Sequence, residues 1–202
     1  MTSPLRIGIL ALQGAVQPHR AKLAALGVEA LLVRDAAELA ACRGLIVPGG
    51  ESTTFLKLIH LYALWQPLLD FAAQRPLWGV CAGSILMAAR VENPAQESLA
   101  VMPITVRRNA YGRQNESFIA HFPLRLPGRP AQDQEGVFIR APQVTAYDPG
   151  VSVLAEYGGQ PVALASGHHL TTTFHPELAA GDALHRHFLA LCGEARLAAA
   201  GG

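Results

Sequence analysis

The chain has 202 residues, half of them apolar and 15% charged, with 16 Lys and Arg against 15 Asp and Glu for a formal net charge of +1. That much apolar sequence can bury a sizeable core, and the length predicts one domain over residues 1–202. The near-neutral balance and scattered arginines exclude the basic stripe that a nucleic-acid backbone requires, and no apolar run reaches the about 18 residues of a membrane helix.

In chain order, "RIGILAL" (6–12), "EALLVR" (29–34), "GLIVP" (44–48) and "PLWGVC" (76–81) are short, nearly continuous apolar runs. Such runs predict strands buried on both faces of a parallel sheet. The first is read as a strand and not as a secretion signal, because Gln13 interrupts it and no small-residue cleavage site follows. Helical patterns lie between the runs. One spans 18–27, with Pro18 suited to a first helical position and Gly27 to a stop. A second spans 52–64, with Ser52 as its cap, and Pro67 is expected to break it before a further helix over 67–74. Beyond residue 98 the pattern is rich in strands, apart from a Gly/Pro-rich surface patch at 127–136, and a final helix is expected over 181–193. The Ala-Gly stretch 198–202 reads as a frayed tail. This order of elements predicts an α/β fold with a mostly parallel central sheet and an antiparallel excursion.

Three cysteines, Cys42, Cys81 and Cys192, are odd in number and far apart, which predicts reduced thiols and a cytoplasmic protein. Cys81 stands apart from the other two. In "GVCAG" it occupies the centre of a Gly-x-nucleophile-x-Gly pattern where a strand gives way to a helix. A tight turn there presents the sulfur near a helix N-terminus and aims the Ala82 amide at the place where an oxyanion forms. A buried structural thiol is the plainer alternative, so a base is needed.

"TTTFHPEL" supplies one. In an extended chain His175 and Glu177 point the same way, so the carboxylate can hold one ring nitrogen and leave the other for a thiol. "VPGGESTTF" adds a Gly-rich turn between a strand and a helix. An amide of Gly49 or Gly50 can serve as a second oxyanion donor, and Glu51 can meet a substrate ammonium. No Lys follows these glycines, so a phosphate loop is not expected. Of the remaining histidines, His185 and His187 are two apart on a helix and do not share a face, so no metal site is predicted there.

Together, "LALQGAVQPH", "PGGESTTFLKLI", "GVCAGSILMA", "RRNAYGRQNESF", "GVFIRAP" and "TTTFHPEL" resemble, in order and over essentially the whole chain, the triad (class I) glutamine amidotransferases, and among them the glutaminase subunits of pyridoxal 5'-phosphate synthase. The resemblance implies a flavodoxin-like, three-layer α/β/α architecture. It also implies Cys81 as nucleophile, His175 as base and acid, and Glu177 as its orienter. Gly49, Gly50, Glu51, Ser52, Arg108, Ile139 and Arg140 then correspond to glutamine-binding positions, with Ala82 and Gly50 forming the oxyanion hole. No cofactor is implied. The implied partner is a TIM-barrel synthase subunit that receives the ammonia, with its contact expected around Gln13, Gly14 and His19. Departures from the family pattern are Pro18 for a charged residue, Val80 for threonine and Ala100 for glycine. Two other readings stay open on the residues alone: a cysteine hydrolase of a related α/β fold acting on other substrates, and a non-catalytic binding subunit.

Overall fold

The computed structural model describes residues 5–108 and 117–200, with side chains through residue 193. A seven-stranded sheet forms its centre. Five strands run parallel: β1 (Arg6–Leu10), β2 (Glu29–Val33), β3 (Gly44–Val47), β4 (Leu77–Val80) and β12 (His169–Thr172). Two more, β10 (Ser152–Tyr157) and β11 (Gln160–Ser166), extend the β12 edge antiparallel, in the order β10-β11-β12-β4-β3-β1-β2. Counted from the parallel edge the order is 2-1-3-4-12, the flavodoxin-like winding, in which a cleft opens beyond the carboxyl ends of the strands.

The two-residue strand period sorts the core into two faces. Ile7, Ile9, Ile46, Trp78 and Val80 share a buried cluster with Leu23 of α1 (Val16–Ala25) and with Leu184 and Phe188 of α6 (Ala183–Ala200). Leu10, Leu45, Val47 and Leu77 face the other way. They pack on α2 (Ala36–Ala40), α3 (Ser52–Leu61), α4 (Trp65–Ala72) and α5 (Ala82–Met87). Helices therefore cover both faces, giving three layers. The excursion is an antiparallel β7 (Phe118–Leu124) and β8 (Gln132–Phe138) hairpin and a small mixed sheet in which β6 (Met102–Arg107) pairs parallel with β5 (Ala88–Glu92) and antiparallel with β9 (Gln143–Tyr147). Among the described residues, no helix is long and apolar enough to cross a membrane.

The differences from expectation lie at element ends. Helix α1 starts at Val16 and Pro18 is its third residue, which costs no bond because the first-turn amides have no intrahelical acceptor. The cap of α3 is Glu51, not Ser52: from an extended backbone its carboxylate folds back to accept from the amides of Thr53 and Thr54. Pro67 does not break a helix but sits as the third residue of α4. The break comes earlier, where Ala63 turns through φ 51°. A short helix, α2, was not expected. Its signal is present in the sequence, because Asp35 caps the Glu38 amide at 2.8 Å while the Glu38 carboxylate accepts from the Arg34 amide at 2.7 Å. Finally, α6 runs through Ala200, into the stretch expected to fray, and Gly201 and Gly202 lie outside the described residues.

Ala100 adopts φ 54° at an exposed position. A side chain in that region strains against the following carbonyl by about 1–2 kcal/mol, partly offset by the greater freedom glycine has when unfolded. Ala100→Gly is therefore expected to stabilise the fold by about 0.5–1 kcal/mol, read as a melting temperature higher by roughly 1–4 °C.

Candidate active site

Cys81 joins β4 to α5 with φ 51° and ψ −104°, a conformation that costs about 1–3 kcal/mol in any residue but glycine. Its neighbours hold it there. The Cys81 amide donates to the Thr172 carbonyl at 2.8 Å, and the Cys81 carbonyl accepts from the Ser84 amide at 3.0 Å and the Ser84 hydroxyl at 2.6 Å. The flanking glycines are steric requirements: a Cβ on Gly79 would lie 2.6 Å from the Gly83 carbonyl, and one on Gly83 would lie 2.0 Å from the Val47 carbonyl oxygen. Such contacts are too short for any side chain, so Gly79 is required by the close approach of the elbow's two limbs and Gly83 by the packing of α5 against β3.

His175 follows β12, and its amide donates to the Val137 carbonyl at 2.8 Å. Its Nδ1 lies 2.7 Å from Oε1 of the fully buried Glu177. A carboxylate accepts only, so Nδ1 carries a proton and Nε2 is left for Cys81, which lines the same cavity as the ring. Burial works to lower the His175 pKa. The hydrogen bonds and charges of Cys81 and Glu177 outweigh it and carry the pKa up to about 10. The other two cysteines have ordinary core environments: burial pushes the Cys42 thiol up to about 11 and that of Cys192 higher still.

The Gly-rich turn fits against this pair. A Cβ on Gly49 would lie 2.2 Å from Cε1 of His175, so only glycine lets the imidazole sit so close. The Gly49 carbonyl accepts from the Ala15 amide at 2.9 Å, and a Cβ on Gly14, whose φ is 87°, would fall 2.0 Å from that oxygen. Gln13 braces the same turn: its amide nitrogen donates to the Glu51 carbonyl at 2.7 Å. Both Gln13 and Gly14, expected at a partner contact, thus support the turn. The third residue of that set, His19, is fully buried beneath Glu177 and is not on a surface that a partner can touch.

A cavity of about 300 Å³ opens over these groups. Of the expected residues, Gly14, Gly49, Gly50, Glu51, Ser52, Cys81, Ala82, Arg108, Ile139, Arg140 and His175 line it, whereas Gln13, His19 and Glu177 do not. The Ile139 carbonyl is 3.8 Å from the Cys81 sulfur. Arg140 stands exposed at the rim with φ 45°. Ser52 is turned aside, donating to Gln96 at 2.9 Å. Glu51 was expected to be free for an ammonium, but its carboxylate also caps α3, accepting from two amides and from the Thr53 and Thr54 hydroxyls, and Arg108 lies 3.5 Å away. Burial alone would raise its pKa; these hydrogen bonds bring it down to about 2. Ala15 and Ile85 also line the cavity and were not anticipated. Ile85 could have been found from its spacing, four residues past Cys81 on the same helical face. Most of "RRNAYGRQNESF", residues 109–116, lies outside the described residues.

Comparison with known proteins gives concordant results. A model of the SNO glutamine amidotransferase family matches residues 9–194. Pyridoxal 5'-phosphate synthase subunit PdxT of Koribacter versatilis is 46% identical over 185 residues, spanning 92% of this chain and 94% of that protein. The subunit of the same name from Acidothermus cellulolyticus is 49% identical over 195 residues, spanning 92% and 93%. A crystal structure of a glutamine amidotransferase superposes with a TM-score of 0.85 at 42% identity, covering 93% of this chain and 98% of that one. PurLQS from Thermotoga maritima, at 12% identity and a TM-score of 0.65, shares the fold over 96% of this chain and 98% of its own.

Proposed function

We propose, from the premise that this chain belongs to the SNO glutamine amidotransferase family, that it is the glutaminase subunit of a pyridoxal 5'-phosphate synthase, a single-domain cytoplasmic protein that hydrolyses L-glutamine to L-glutamate and ammonia. The observation that carries this reading is Cys81 and His175 together at the wall of a cavity about 300 Å³ in volume, with the buried Glu177 bonded behind the imidazole. Three free thiols support the reducing compartment.

In this reading the Cys81 thiolate attacks the side-chain carboxamide carbon of glutamine. The oxygen takes up the negative charge against the amides of Ala82 and Gly50. His175 then gives its proton to the departing nitrogen, which leaves as ammonia, and a thioester remains on Cys81. Water, deprotonated by His175, attacks the thioester; glutamate departs and the thiolate is restored. The substrate is a zwitterion, and Glu51 and Arg108 already face each other 3.5 Å apart at the cavity wall. Glutamine's ammonium and carboxylate can come between them, each meeting its opposite charge, with Arg140 at the rim as a further cation.

Ammonia released into water would be protonated and lost as a nucleophile. It passes instead to the TIM-barrel synthase subunit, whose contact is expected around Gln13, Gly14 and α1. The Gly49–Gly50 peptide is the element on which docking acts, because flipping it into the oxyanion site requires breaking the bond from the Ala15 amide. Glutamate release measured with and without a co-expressed synthase subunit tests both parts of the reading. Release is expected to be weak alone and strong in the complex; equal turnover in the two states would rule out the partner-gated site.

A further inference from the structure

The triad uses one oxygen of Glu177 and leaves the other in the protein interior. Oε2 is buried with no hydrogen-bond partner within standard geometry, as is Nε2 of His19, and the two lie 3.5 Å apart. His19 projects inward from α1. Its Nδ1 is 3.3 Å from Nε2 of His185 on α6, and the Trp78 ring packs edgewise on both imidazoles at 5.8 and 4.8 Å.

Protonation rules give this row of groups one polarity. Burial, with His185 and His175 nearby, holds the His19 pKa well below its usual range. Burial and Lys22 bring that of His185 down to about 4, against a small opposing pull from Asp182. At neutral pH both rings are therefore neutral, each with one N–H and one bare nitrogen. Glu177 only accepts. A His19 lone pair aimed at Oε2 would set two acceptors against each other in a buried site, so the His19 proton belongs on Nε2. Its Nδ1 is then bare and takes the proton of His185 Nε2. This leaves Nδ1 of His185 without a proton, and it is the one ring nitrogen of the pair that has neither a hydrogen bond nor a carboxylate facing it.

We infer that His19 is a positioning residue of the triad: held in its Nε2–H form by His185, it donates to the second oxygen of Glu177 and fixes the carboxylate that orients His175. The inference rests on the glutaminase reading of Cys81, His175 and Glu177. Lys22, one turn further along α1, grips the same stretch of chain, its ammonium donating to the carbonyls of Ala179, Ala180 and Gly181 at 2.5, 3.1 and 3.0 Å. Helix α1 thus holds the triad's carboxylate and the loop that follows it. A shift of α1 on docking would be felt at His175.

Two measurements test this. In the nitrogen-15 histidine spectrum of the wild-type chain at neutral pH, His19 is expected to be neutral with its proton on Nε2; a proton on Nδ1 would overturn the assignment without any variant being made. In glutamine hydrolysis by the complex with the synthase subunit, His19→Leu is expected to lower kcat about tenfold, the effect of losing one hydrogen bond to a charged group. KM should stay within about twofold, and the alkaline limb of the rate should move to lower pH. His19→Gln, whose amide can both donate to Glu177 and accept from His185, should recover most of the loss. Wild-type kcat and pH limb in His19→Leu, or a His19→Gln protein as impaired as His19→Leu, would each defeat the inference. A wild-type complex that releases no glutamate would instead defeat the glutaminase reading, leaving the spectrum to decide the His19 tautomer.

Discussion

A Cys81→Ala protein is expected to release glutamate at least about 10³-fold more slowly than the wild type while keeping its fold. The loss is large because no other group can form the covalent intermediate: the oxyanion donors and the glutamine-binding charges remain, but no nucleophile faces them. The fold is retained because the elbow is held by backbone and by Ser84, not by the sulfur. Alanine inherits the same φ of 51° and the same bonds to Thr172 and Ser84. What is lost is one small, nearly buried atom, a change of about 1 kcal/mol and so a few degrees in melting temperature. Cys42→Ala and Cys192→Ala are the matched controls. Their sulfurs are buried away from the cavity, that of Cys42 against α2 and that of Cys192 on the face of α6 turned to β3, and burial keeps both as neutral thiols. Glutamate release should be unchanged in both. Normal turnover by the Cys81→Ala protein, measured on glutamine in the complex, would end the proposed chemistry.

The elbow was legible in the sequence because its constraint is local. A glycine before the cysteine is what a tight reversal between β4 and α5 demands, as the distance from Gly79 to Gly83 shows, whereas Gly83 answers to Val47 on the neighbouring β3. His175 and Glu177 were legible for a similar cause, since an i, i+2 pair in an extended segment shares one side. Long-range accommodation was not legible. Nothing within residues 47–55 says that Gly49 must clear an imidazole arriving from residue 175, or that Gln13 will brace the turn. Glu51 misled because its carboxylate competes for two tasks; only the fold shows that the cap on α3 engages it. His19 misled in another way. With Leu23 it forms the buried face of α1 at i, i+4 spacing, yet a histidine beside Arg20 and Lys22 reads as part of a solvated surface. Its burial depends on Glu177 and His185, more than 150 positions away, filling the interior with groups it can bond.

Glu177→Gln is expected to lower kcat by about 10²-fold with little change in KM, and to move the alkaline limit of the reaction toward neutrality. The substitution keeps shape and removes charge. In the wild type, burial favours the neutral imidazole, but Cys81 and Glu177 hold the proton on His175 until about pH 10. The ring can therefore serve as acid toward the leaving nitrogen through pH 9, and the rate should fall only as the pH rises through about 10. With a neutral amide at position 177 one of the two supports is gone while the burial remains, so the limb must move down. Stability follows the same sign. A histidine whose folded pKa is raised contributes stabilisation that is complete below its unfolded value near 6.5 and is lost as the pH rises toward 10. The wild type should accordingly lose stability across that window more steeply than Glu177→Gln, in denaturant melts taken at pH 6, 8 and 10. Either measurement can fail separately. An alkaline limb that stays at the wild-type pH in Glu177→Gln would mean that the sulfur alone holds the ring's proton. The carboxylate would then have no part in setting the acid, and the His19 support behind it would have nothing to orient.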